Sequence, residues 1–320
     1  MDIGVLTVPF GDESLDDTFD YLSEIGVGAV ELGCGGFPGD DHLPRSRYLN
    51  DEDARADLHA TLDEYDLRVS ALATHNNPLH PDEQRAEEAD TELREAVRLA
   101  DQLDVDTVTC FSGLPAGGPN DEVPNWVTAP WPGEHADAHD YQWERATDYW
   151  SDLAAHADHH GVDLAIEMHP NMLVYEPTGM ERLRDATSER VGANFDPSHL
   201  YWQGIDVTEA VRFLGDAIHH VHAKDTKVYE ANSRVKGVLD TTDYREEPER
   251  SWLFRSVGYG HGESHWKDLV STLRMVGYDG ALSIEHEDSL TSSREGLEKA
   301  VELLDRAVFE TKPGDAYWAE

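Results

Sequence analysis

Eight short apolar runs alternate with longer amphipathic stretches from one end of the chain to the other. The runs are IGVLTV (3–8), GAVELG (28–33), LRVSALAT (67–74), VDTVTCF (105–111), VDLAIEM (162–168), VGANFD (191–196), HHVHAK (219–224) and GALSIEH (280–286). Nearly continuous Val, Ile and Leu in runs this short predicts strands covered on both faces, as in a parallel sheet. Between them, apolar residues recur at the helical period. In 82–103, Leu93, Ala96, Val97, Ala100 and Leu103 make one stripe. Further helices are predicted at 15–26, 52–65, 141–160, 179–188, 208–215, 266–277 and 294–309, with Thr208 marking a capped start. Eight strand–helix units without a composition break predict a single (β/α)8 TIM barrel domain over residues 1–320. A doubly wound open sheet also alternates strand and helix. However, the first strand lacks a G-x-G-x-x-G turn, and no midpoint change divides the units. Long loops are expected after strand 4 (112–140) and strand 7 (225–265). Both follow C-terminal strand ends, where a barrel builds its lids and pockets.

Charge narrows the choice of partner. Asp and Glu number 66 against 25 Lys and Arg, a net charge of -41 spread along the chain. Such a surface repels phosphate backbones and anionic membranes, so neither nucleic acid nor a membrane is expected as partner. Eight Trp and twelve Tyr argue against a disordered acidic chain. Six of the basic residues are Lys. An acidic excess of this kind suits a salt-loving, archaeon-like cytoplasm, because salt near 1 M screens charges beyond about 3 Å. The start, MDIGVLTVPF, has no basic flank and reads as a first strand rather than a signal peptide. No stretch approaches the apolar length of a membrane span, and a cytoplasmic location is expected. Cys34 and Cys110 lie in or just after apolar runs and are expected to be buried free thiols.

The polar residues at strand ends carry the chemistry. Glu167 ends the fifth run, Asp196 the sixth, and His222 and Glu285 lie near the ends of the seventh and eighth. In a barrel these side chains converge at the C-terminal mouth. Three carboxylates that close would repel one another and take up protons, a conflict that a divalent cation removes. Three oxygen ligands and one imidazole suit Mn²⁺ best, with Mg²⁺, Co²⁺ or Zn²⁺ possible. The alternative is four unrelated strand caps or partners of Arg. His75, His169, His199 and Lys224 are candidates to bind substrate oxygens around the same mouth. His286 should face away from the axis. Glu31, inside the second run, would be costly to bury unpaired. It is expected to bind a substrate hydroxyl or to pair with an Arg such as Arg255. Trp126, Trp131 and Trp202 are candidate pocket walls. No G-x-x-x-x-G-K-[ST], C-x-x-C or G-x-S-x-G pattern occurs.

The segments IEMHP (166–170), FDPSH (195–199), HVHAKD (220–225) and SIEHED (283–288) resemble the xylose isomerase-like family of sugar isomerases and epimerases, and the resemblance covers nearly the whole chain. It implies metal ligands at Glu167, Asp196, His222 and Glu285, with Glu167 and Glu285 as acid and base on opposite faces of the substrate. It also implies a substrate contact at His199. Two departures from the family's ketose 3-epimerases stand out: Leu173 replaces a second Glu, and Val228 falls where a substrate Arg is expected. Endonuclease IV-type enzymes share the fold, but their D-x-H pair is absent between Asp225 and His265, and Cys110 stands where they have a ligand His. The activity so implied is a divalent-metal-dependent sugar isomerase or epimerase that moves a proton next to a carbonyl through a metal-stabilised ene-diolate. The alternatives are a metal-dependent lyase that cleaves a 3-keto-glycoside by β-elimination and a non-catalytic sugar-binding barrel. A small carbohydrate is the expected partner, and a homo-oligomer is possible by the same resemblance.

The charge density sets the first prediction. Raising KCl from about 0.1 M to about 1 M shortens the screening length from about 10 Å to about 3 Å. The melting temperature, followed by circular dichroism, should rise with it.

Overall fold

Each of the eight apolar runs forms a strand, and the insertion after the seventh adds two more. The computed structural model describes residues 1–309 together with Thr311, Gly314 and Trp318. The strands are β1 Asp2–Leu6, β2 Ala29–Gly36, β3 Arg68–His75, β4 Thr107–Phe111, β5 Asp163–Glu167, β6 Val191–Phe195, β7 Ile218–Ala223, β8 Asp225–Val228, β9 Trp252–Arg255 and β10 Ala281–Ile284. Eight of them close a parallel barrel in the order β1-β10-β7-β6-β5-β4-β3-β2. Closure is made by β1, which pairs with β2 through Leu6 and Glu31 and with β10 through Val5 and Ile284. A closed sheet has no free edge, and the outer helices cover the apolar strand faces. The fold is therefore the TIM barrel that the alternation predicts.

Local sequence explains the boundaries. The first strand stops at Leu6 because Val8–Phe10, with Pro9 in it, turns into a short 3-10 helix. Helices begin at side-chain caps: Ser14, Asp51, Asp82, Glu176, Asp206 and Ser292 each accept from a backbone N–H of the first turn. Asp206 rather than Thr208 caps Val207–Leu214. The helix expected from 141 starts at Gly133 and runs to His160. Its buried Trp150 donates Nε1–H to the Ser112 carbonyl at 3.0 Å, which ties the helix to the end of β4.

The insertion at 225–265 is built, not loose. β8 and β9 pair antiparallel, with Asp225 opposite Arg255. Asp225 is fully buried and accepts from the backbone N–H groups of Gly258, Gly260 and His261 at 3.1, 3.0 and 2.8 Å. This clasp returns the chain to the barrel. Asp288 holds the other end through Arg255 at 3.1 Å and the Ser256 N–H at 2.8 Å. The 112–140 insertion differs from expectation, because none of its residues lines the cavity over the strand ends.

Cys34 and Cys110 are free and buried, as their apolar surroundings predict. Burial pushes the Cys34 thiol up to about 12 and Cys110 further still. Because the thiolate is the reactive form, iodoacetamide at about pH 8 should leave both unmodified in the folded protein. Both should be alkylated in guanidinium, as read by intact mass.

Candidate metal centre at the barrel mouth

Alternation along parallel strands aims every second side chain at the barrel axis. Glu167 closes β5, Asp196 follows β6, His222 lies in β7 and Glu285 follows β10. One ligand atom from each of these four lies within 4.8 Å of those from the others. His222 Nδ1 sits 3.5 Å from Glu167 Oε2 and 3.1 Å from Glu285 Oε2. The strand-end convergence expected from the sequence is thus present. Asp196 and His222 are fully buried, while Glu285 keeps 18% of its side chain exposed. The donor set is suited to a divalent cation on an independent ground. His222 Nδ1 and Asp196 Oδ2 are buried and make no well-formed hydrogen bond, although they face this common space.

Positive side chains hold the acids together. Lys224 Nζ lies 2.6 Å from Glu285 Oε2, 2.9 Å from Glu287 Oε2 and 3.1 Å from Asp196 Oδ2. His199 Nε2 bridges Glu167 Oε1 at 2.8 Å and Asp196 Oδ2 at 3.2 Å. His75 Nε2 approaches Glu167 Oε2 at 2.9 Å, off the direction of a good hydrogen bond. Burial alone would push the Glu167 carboxyl up. His199 and His75 outweigh it and hold Glu167 well below the usual carboxylate range. Burial likewise opposes ionisation of Asp196, yet Lys224 and His199 keep it low. The reverse holds for His199, where burial lowers the imidazole and Asp196 lifts it to about 9. For His169 the nearby Glu167 does not outweigh the opposing effects. Burial and the neighbouring His199 drive it down to about 3, and its Nδ1 donates to the Pro170 carbonyl at 2.6 Å.

Beneath the mouth lies a polar layer that strand pattern alone does not reveal. Glu31 is fully buried in β2. It accepts from Ser283 Oγ at 2.6 Å, Thr109 Oγ1 at 2.7 Å, His222 Nε2 at 3.0 Å and His220 Nε2 at 3.1 Å. The Asn194 amide stands 3.2 Å from the same His222 nitrogen. Glu31, Thr109, Asn194 and Ser283 come from alternate barrel strands; Glu31 and Asn194 reach His222, and Thr109 and Ser283 reach Glu31. The expected pairing of Glu31 with Arg255 is therefore wrong: Arg255 is committed to Asp288, and the buried acid is satisfied from within the barrel. With Nε2–H given to Glu31, His222 presents Nδ1 to the acids above, which is the way a ligand imidazole is oriented. The signal was present in HVH, where a spacing of two turns His220 and His222 to the same side as Glu31.

A cavity of about 620 Å³ opens above this centre. Glu167, Glu285, His75, His169 and Lys224 reach it, and Glu287 stands at its edge. His199 does not line it, being fully buried beneath Glu167. The His286 ring packs against Gly296, and the residue also borders the cavity. None of the three tryptophans proposed as walls lines the cavity. Trp126 packs edge-on to Tyr175 beside a neighbouring cleft, Trp131 is 83% exposed, and Trp202 stacks on Trp252 at 5.1 Å. The walls are instead Phe37, Phe111, Tyr244 and Phe254, which the sequence reading missed.

The chain belongs to the xylose isomerase-like TIM barrel family, whose sequence profile matches residues 19–307. It is 36% identical over 312 residues to the uncharacterised protein YfiH of Bacillus subtilis (strain 168), covering 96% of this chain and 99% of that one. In fold it is similar to the IOLI protein crystallised with a zinc atom (TM-score 0.68, 17% identity, 97% and 100% of the two chains). It is also similar to the 3-keto-D-glucoside 4-epimerase YcjR of E. coli (TM-score 0.65, 14% identity, 96% and 98%). At these identities the two structures speak for the fold. No helix among the described residues is long and apolar enough to cross a membrane.

The Glu31 layer generates a direct test. Glu31→Gln removes the charge that orients His222 and should weaken the affinity for a divalent cation about 10–100-fold, read by calorimetry. The pH dependence has a definite sign. Burial lowers the His222 imidazole, but Glu31 and Glu285 hold it well above its ordinary value in the metal-free protein. A cation taking Nδ1 must displace a proton, so the measured Kd should rise as pH falls.

Proposed function

We propose that the protein is a divalent-metal-dependent isomerase or epimerase of a small carbohydrate, acting by proton transfer next to a carbonyl. The observation that carries this reading is the meeting of Glu167, Asp196, His222 and Glu285 within 4.8 Å beside a 620 Å³ cavity. These four would hold the cation. Three carboxylates and one imidazole favour Mn²⁺, with Mg²⁺, Co²⁺ or Zn²⁺ as the other fits. When bound, a divalent cation supplies Lewis acidity that polarises the carbonyl and stabilises the negative charge left by proton removal.

The chain's own residues do the rest. Glu167 and Glu285 are the acid–base pair: one takes the proton α to the carbonyl and the other returns one to the opposite face for epimerisation. For isomerisation the proton goes back to the adjacent carbon. His199 and His75 fix the orientation of Glu167 from two sides. Those contacts lower its basicity, so an α-proton made acidic by the polarised carbonyl and a dry cavity must both contribute. His169, held neutral, and His75 offer imidazole nitrogens to substrate hydroxyls. Lys224 offers an ammonium to a substrate oxygen while retaining its carboxylate partners. His199 acts on substrate through Glu167. The acidic surface favours a salt-rich cytoplasm as the working environment.

Incubation with Mn²⁺ and a panel of ketoses and keto-glycosides in deuterated water tests the reading. Deuterium should enter at the carbon α to the carbonyl, together with an epimer or isomer. Glu167→Gln and Glu285→Gln should each lower that exchange about 100-fold or more. Undiminished exchange in either variant would remove that residue from its role.

A further inference from the structure

The cavity wall is unlike the centre it surrounds. Phe37, Phe111, Met172, Tyr244, Leu253 and Phe254 form an apolar lining above the carboxylates. Two of these aromatics face water at the rim, Phe37 at 82% exposure and Tyr244 at 50%. Neither is there by looseness of the chain. Gly36 has a φ of +64°, and a Cβ on it would run into the His75 carbonyl. That close approach lets the Phe37 N–H donate to the same carbonyl at 2.9 Å and brings Phe37 within 6.3 Å of Phe111. Tyr244 is held from behind by the Arg250 guanidinium, 3.9 Å from its ring centroid, and stacks on Phe254 at 5.9 Å. Arg250 is itself buried and donates to the carbonyls of Thr242 and Trp252. Exposed aromatics fixed in this way at a cavity rim are suited to cover an apolar ligand surface.

Charge excludes the commonest other substituent. Among the described residues Lys224 is the single Lys or Arg lining the cavity, and three carboxylates already share it. Glu287 stands on the same side. A phosphate dianion would meet acids and no free guanidinium or ammonium. Size points the same way. At roughly 30 Å³ per water the cavity holds about twenty waters. A monosaccharide of about twelve heavy atoms leaves part of that space empty.

We infer that the substrate is an uncharged keto-sugar carrying an apolar substituent, its keto-polyol end at the metal centre and its alkyl or aryl end between Phe37 and Tyr244, and that sugar phosphates are rejected. The inference rests on the carbonyl chemistry proposed above and adds the class of compound.

The Mn²⁺-loaded protein would be titrated calorimetrically with methyl and phenyl 3-keto-β-D-glucopyranosides and with the 6-phosphate of the phenyl compound. The phenyl glycoside should bind about tenfold or more tighter than the methyl one, the scale of burying one ring. The phosphate should bind at least about tenfold more weakly than its parent. Phe37→Ala, at an exposed position, should remove most of the phenyl advantage and leave Mn²⁺ affinity unchanged. Equal affinity for methyl and phenyl, preference for the phosphate, or binding of none of the three would overturn the inference. The same samples in deuterated water separate the two readings. Phenyl preference without deuterium uptake defeats the proton-transfer chemistry and leaves the apolar subsite standing. Uptake without phenyl preference does the reverse.

Discussion

Buried carboxylates of like charge can share a few ångströms only if positive charge is supplied among them. Glu167, Asp196 and Glu285 meet this condition at the mouth of the barrel through His199, His222 and Lys224, none of which is more than 2% exposed. The rest of the centre follows from that balance. It keeps the acids ionised in a place where burial would protonate them. It also leaves His222 Nδ1 and Asp196 Oδ2 facing one another's surroundings without a well-formed partner. Acids gathered this closely need counter-charges, and here the protein carries them in its own side chains.

The layer below gives that balance its direction. Glu31 gathers four donors at the barrel axis, and the one from His222 decides which imidazole nitrogen points up. Breaking a buried charged pair by removing one partner typically costs about 3–5 kcal/mol. The interior acid is therefore as much a part of the barrel's stability as of its chemistry. This explains how a strand buried on both faces tolerates Glu where its neighbours are Val and Leu.

The sequence made the strands and the four strand-end donors legible because both are matters of period. Apolar runs mark the strands, and the parity of each position sets whether a side chain faces the axis. What it does not encode is which inward residues of different strands meet. Glu31 on β2 and His222 on β7 are 191 positions apart, and their pairing depends on barrel closure and stagger. Arg255 was a sensible partner for Glu31 by charge, but its own neighbour Asp288 lies nearer in the folded chain. The wall residues were harder still. Tyr244 and Phe254 sit in a polar-looking insertion whose order comes from the Asp225 clasp and buried Arg250, and neither leaves a periodic trace. Large size and aromatic character drew attention to Trp126, Trp131 and Trp202 instead, although none of them lines the cavity.

The returning hairpin of β8 and β9 enters and leaves the barrel at neighbouring points, both secured by acids that bind backbone amides. Its aromatic face contributes to the cavity, yet none of the four converging donors belongs to it. Such an arrangement separates the cavity wall from the converging donors. Exchanging that one clasped segment would redraw the wall and leave the donors on the strand tips in place.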